Sequence, residues 1–190
     1  MTIILICWII TVIMPRYNNY AFIDGANLHF TYENIAWKID YHKLLNFLRN
    51  KLNVSIAYYF IGNTKESADI RQKLESYGYT IKLKEPSPYK TEIVECPYCR
   101  KVIVPELNKN KSDVDSLMTL TVISNLNLFD KAVLITSDGD FDELVKMLLR
   151  DDKLRMVFAP CREGCSKLLK KVATDKIAFI DDFKNELEKI

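Results

Sequence analysis

Ala132-Val133-Leu134-Ile135-Thr136-Ser137-Asp138-Gly139-Asp140-Phe141 is the stretch whose reading decides the fold of this chain. Ala132 to Ile135 is a short apolar run, which reads as a buried strand. It leads into Thr-Ser and then two acids bracketing a glycine. Asp140-Phe141-Asp142-Glu143-Leu144 opens an amphipathic helix. In open α/β sheets, ligands bind beyond the carboxyl ends of the strands. Asp138 and Asp140 therefore stand where chemistry is usually done. A lone Asp in this position is explained well enough as a helix N-cap. That explanation weakens because Tyr20-Ala21-Phe22-Ile23-Asp24-Gly25 repeats the pattern. Two apolar strands that each end in Asp-Gly point to carboxylates that converge.

Outward from these two strands, the chain alternates. Strands are expected at 20–23, 54–61, 79–83, 132–135, 154–159 and 177–180. Helices are expected at 41–52, 64–77, 112–126, 141–150 and 164–173, with a terminal helix from Asp181. Asp40 caps the first helix and Gly78 stops the second. Residues 28–39 read as an aromatic-rich connector. Such alternation argues right-handed βαβ units and a parallel sheet. The pattern breaks at about 86–110, where β-like runs at 91–95 and 101–104 flank Cys96-Pro97-Tyr98-Cys99 and suggest a hairpin insertion. Residues 1–14 carry no charge but fall short of the about 20 apolar residues of a membrane span. The expected domain is 14–190, starting at Met14, with 1–13 an apolar tail outside the core. A weak membrane anchor is the alternative for that tail, and no stable insertion is expected.

The chain has 190 residues and a formal net charge of +2, so total charge alone announces no polyanionic partner. Its distribution is more informative. Residues 146–171 hold eight Lys/Arg against three Asp/Glu, and residues 82–111 hold seven against four. A small acidic site flanked by basic segments suits a polyanion bound through metal ions.

Phe22-Ile23-Asp24-Gly25-Ala26-Asn27-Leu28, Lys111-Ser112-Asp113-Val114-Asp115 and Thr136-Ser137-Asp138-Gly139-Asp140-Phe141 together resemble the NYN domain, a PIN-like nuclease fold, in its LabA-like branch. Cys165-Ser166-Lys167-Leu168-Leu169-Lys170-Lys171 and Phe179-Ile180-Asp181-Asp182 are similar to that branch's C-terminal region. The resemblance implies an α/β three-layer sandwich around a mainly parallel sheet of order 3-2-1-4-5. The first and fourth strands would then be neighbours, roughly 4.8 Å apart. Asp24 and Asp138 would lie side by side, with Asp140 on the same loop. Asp115 resembles the family's second acid, and Asn27 matches the Asn after the first.

Crowded carboxylates repel unless a cation sits between them. Oxygen ligands suit Mg²⁺ or Mn²⁺ better than zinc, and such an ion can activate water against a phosphodiester. Asp24, Asp115, Asp138 and Asp140 are thus the expected metal ligands and catalytic acids of a cytoplasmic metal-dependent endoribonuclease. Asn27 and Thr136 are expected to orient water or phosphate. Lys111, Lys167, Lys170 and Lys171 are expected to contact the RNA backbone. The alternative is a non-catalytic RNA-binding or regulatory module that keeps the acids. Self-association into a homodimer is left open. Cys96 and Cys99 resemble half of a zinc ribbon, which Cys161 and Cys165 would complete as a structural site; reduced thiols, or a local disulfide in an oxidising setting, are the alternatives. The third and fifth strands, which these pairs follow, are expected at opposite sheet edges, four spacings or roughly 19 Å apart. The insertion would have to fold across that distance.

Overall fold

The computed structural model describes residues 18–33, 37–65, 67–85, 94–95, 98–99, 102–103 and 114–189. The tail at 1–13, Lys111, Cys96 and most of the insertion lie outside the described residues.

Six strands form one parallel sheet: β1 (Asn19–Asp24), β2 (Val54–Gly62), β3 (Thr80–Lys84), β6 (Ala132–Ile135), β7 (Leu154–Ala159) and β8 (Ile177–Phe179), in the order β3-β2-β1-β6-β7-β8. A separate antiparallel pair, β4 (Val94–Glu95) and β5 (Val102–Ile103), marks the hairpin insertion. The expected five-strand order holds, and the last strand extends it. Because β8 pairs outside β7, the fifth strand is interior and not an edge.

The sequence dictates the layers. Side chains alternate faces along a strand. In β1, Tyr20 and Phe22 enter one core with Leu134 of β6, while Ala21 and Ile23 enter the other with Val133 and Ile135. Helices α4 (Asp115–Ser124), α5 (Asp142–Arg150) and α6 (Lys167–Ala173) cover the first face through Met118, Val122, Val145, Leu148 and Leu169. Helices α2 (Tyr41–Leu52), α3 (Ala68–Tyr77) and α7 (Lys184–Leu187) cover the second through Leu44, Leu45, Leu48, Leu74 and Leu187. Strands buried on both faces read as continuous apolar runs, which is why β1 and β6 were legible.

The main departure from expectation follows β1. Part of the stretch read as a connector is helix α1 (Gly25–Glu33), which begins directly at the end of the strand. Its sequence carries no amphipathic repeat. It is started instead by Asp24, whose carboxylate accepts the Asn27 N–H at 3.0 Å, and held by Leu28, which is fully buried. Gly25 is required there for space. A Cβ would lie 2.3 Å from Tyr59 Cε1 and 2.4 Å from the Phe60 carbonyl oxygen.

Candidate functional site

β1 and β6 are paired with Phe22 opposite Leu134 and Ile23 opposite Ile135. The residues that follow, Asp24 and Thr136, therefore emerge at the same height on the carboxyl edge of the sheet. Beyond Thr136 the backbone makes a short loop and a 3₁₀ turn, Gly139–Phe141, before α5. Asp138 caps that turn, its Oδ1 accepting the Asp140 N–H at 3.0 Å. Asp115 is the first residue of α4. These three elements bring Asp115, Asp138 and Asp140 together. One carboxylate oxygen from each lies within 4.8 Å of the other two.

Asp115 and Asp138 are half-buried and Asp140 is exposed. At such a separation each pair of like charges repels by about 1 kcal/mol in water and by several at an effective dielectric near 20. A divalent cation among them reverses the sign of that balance. Three hard oxygen donors on an open surface fit Mg²⁺ or Mn²⁺, which keep some of their waters.

Asp24 stands outside this trio. Its side chain is 3% exposed. Oδ1 accepts the Asn27 N–H and Oδ2 accepts the Thr136 hydroxyl at 3.3 Å. Burial pushes its pKa above the ordinary aspartate value, and the Asp138 charge adds to the rise. The bonds from Asn27, Thr136 and Ala26 act in the opposite direction.

Thr136, expected to orient water or phosphate, is fully buried. Its oxygen donates to Asp24 and accepts the Asp138 N–H at 3.1 Å. It thus ties Asp24 to the Asp138 loop. Asn27 makes a similar tie from α1: its Oδ1 accepts both the N–H and the hydroxyl of Ser137, each at 2.9 Å. From the other side, the Ser166 N–H donates to the Ser137 carbonyl at 3.0 Å. Ser137 and Ser166 did not stand out in the sequence. The available signals were the Ser preceding Asp-Gly-Asp and the Ser that caps α6.

A wide-mouthed cavity of about 500 Å³ opens beside the acids. Asn27, Ser137, Asp138, Asp140, Ser166 and Leu168 are among the residues that line it. Lys167, between Ser166 and Leu168, and Lys171, three positions beyond Leu168, are exposed on α6. Lys170 is half-buried. Its ammonium donates to the Arg162 carbonyl at 2.6 Å and lies 5.8 Å from the centre of the Phe179 ring. Of the four cysteines expected to share a zinc ion, Cys96 lies outside the described residues. Cys99 is exposed, Cys161 half-buried and Cys165 buried, and none is in a disulfide. Among the described residues the acidic trio is the one group of three metal-binding side chains, and it includes no cysteine.

The chain is 23% identical over 172 residues to the low amplitude and bright protein LabA of Synechococcus elongatus, covering 88% of this chain and 86% of that protein. Its fold overlays a crystal structure of a Vibrio parahaemolyticus protein of unknown function at a TM-score of 0.67 and 20% identity, covering 93% and 99% of the two chains. A looser overlay, at a TM-score of 0.44 and 16% identity, is with the zinc-bound T5 5′-exonuclease; it covers 75% of this chain and 55% of that one and is too loose to bear on the site. The NYN domain profile matches residues 20–181. A parallel sheet with three acids at its carboxyl edge, matched over nearly its whole length by that profile, means that the chain belongs to the NYN domain family.

Proposed function

We propose that this protein is a metal-dependent endoribonuclease. Asp115, Asp138 and Asp140 hold Mg²⁺ or Mn²⁺, and Asp24 supports them from behind through Thr136. The observation that carries this reading is the convergence of three carboxylate oxygens within 4.8 Å at the carboxyl edge of the sheet. A bound divalent ion supplies charge stabilisation to a phosphodiester and activation to a water. The chain's own residues do the rest. Asn27 and Ser166 hold Ser137, and so the Asp138 loop, in place. The cavity bounded by Ser137, Asp140 and Leu168 gives one nucleotide room beside the acids. Lys167 and Lys171 supply positive charge for neighbouring phosphates. RNA is inferred as the substrate from the two basic segments and from the family resemblance. A cytoplasmic setting belongs to the same proposal, and the free thiols of Cys99, Cys161 and Cys165 are compatible with it.

The test is cleavage of single-stranded and structured RNA, and of matched DNA, with Mn²⁺, with Mg²⁺ and with chelator. Cleavage should need metal and favour RNA. Asp115→Asn and Asp138→Asn should each lower the rate on the order of 100-fold or more, as removal of a charge-stabilising group does. Wild type that binds RNA with either metal but never cleaves it would leave the non-catalytic module as the better reading.

A further inference from the structure

Asp138 is flanked by two residues that meet the same partner. Ser137, before it, receives the Ser166 N–H on its carbonyl. Gly139, after it, comes so close to Ser166 that a Cβ there would lie 2.5 Å from Ser166 Oγ and 3.2 Å from Ser166 Cβ. Ser166 is itself fixed. Its Oγ accepts the Leu168 N–H at 3.2 Å, and its carbonyl accepts the Lys170 N–H at 3.1 Å. The helix it starts is anchored by Leu169 and Ala173, both fully buried. We propose that Ser166 is a positioning residue for the acidic cluster: it closes on both neighbours of Asp138 and so sets that carboxylate against Asp115 and Asp140. The proposal rests on reading the trio as a metal centre. It adds that the spacing of the trio is set from α6, an element that contributes no acid to it.

Gly139 supplies the means of testing this. Its backbone is not left-handed; among the described glycines only Gly78 has positive φ. Alanine at 139 therefore meets no conformational objection, and what opposes it is contact with Ser166. The full chain, stripped of metal, is titrated with Mn²⁺ while the free ion is followed by electron paramagnetic resonance. Thermal midpoints are recorded in parallel for wild type, Gly139→Ala, Ser166→Gly and the double variant. Gly139→Ala should bind Mn²⁺ about ten-fold more weakly, the scale expected when a contact that orients a metal ligand is disturbed. The double variant should recover most of that affinity, because Ser166→Gly removes both obstructing atoms. Equal affinity in wild type and Gly139→Ala, or no recovery in the double variant, would overturn the proposal. So would affinities that simply track the thermal midpoints, since that is the mark of a merely structural role. Wild type that binds Mn²⁺ but cleaves nothing refutes the nuclease reading, while the affinity pattern still supports the role of Ser166. Wild type that binds neither Mn²⁺ nor Mg²⁺ overturns both.

Discussion

Asp24 shows how one residue can satisfy two readings. As a cap it starts α1; as an acid it stands behind Asp138. Burial holds its pKa above the ordinary 3.8. A carboxyl with a raised folded pKa favours the fold in its protonated form. That contribution is complete below about pH 3.8 and is lost as pH rises through the folded pKa. Asp24→Asn makes the group neutral at every pH. At pH 7 the metal-free variant should melt at or above wild type, by up to about 3 °C for a domain of this size, and the gap should shrink toward pH 4. Metal-free melting curves from pH 4 to 7.5 check this; a variant several degrees less stable at pH 7 would mean that the cap bonds of the ionised form outweigh its burial. Asp138→Asn tests the trio differently. Mn²⁺ at 100 times its dissociation constant should stabilise wild type by about 2.7 kcal/mol, and this variant should lose most of that gain. Asp142→Asn should keep it, because Asp142 is occupied with Lys146 at 2.7 Å on α5. The Asp-Gly pairs made these acids legible in the sequence. The direction in which Asp24 points was not legible, because it depends on strand register and on a rotamer shared with Thr136.

Among the elements, α2 and α1 mark the limits of reading by pattern. Helix α2 announces itself with Asp40 accepting from the His42 and Lys43 N–H groups and with Leu44, Leu45, Leu48 and Leu52 on one buried stripe. Helix α1 has a glycine at its start and no such stripe, so pattern assigns it to a connector. Its helicity comes from the Asp24 cap and from packing against β2, neither of which is local to its own sequence. This gives Gly25→Ala a definite outcome. The new methyl meets a backbone carbonyl of β2, which cannot retreat without opening the β1–β2 ladder. Destabilisation should be about 3 kcal/mol, at the severe end of overpacking, and read as a lower urea midpoint. A midpoint equal to that of wild type would mean that α1 shifts freely, and that Asn27 does not hold the Asp138 loop as described. The role of Ser166 was illegible for a related reason: its partners, Ser137 and Gly139, lie 27 to 29 positions earlier in the chain.

For the whole molecule, topology was the most legible property. Apolar strands separated by helices leave few arrangements other than a parallel sheet with crossovers, and the family resemblance supplied the order. Function at this scale turns on where charge lies. A net charge of +2 gives little long-range attraction, so the RNA affinity proposed above would have to come from local basic groups and from metal held by the trio. Lys167 and Lys171 are exposed and available to phosphate. Lys170 already donates to the Arg162 carbonyl and has less to give. Binding to single-stranded RNA should weaken linearly on a log–log salt plot, with each lysine that contacts a phosphate contributing about 0.7 to the slope. Lys167→Ala and Lys171→Ala should each reduce the slope by about that amount, and Lys170→Ala should reduce it less. Fluorescence anisotropy with a non-cleavable RNA analogue, at several salt concentrations with Mn²⁺ present, measures this. If Lys170→Ala flattens the slope while the other two leave it unchanged, the RNA does not pass over the exposed face of α6, and the path proposed from cavity to helix is wrong.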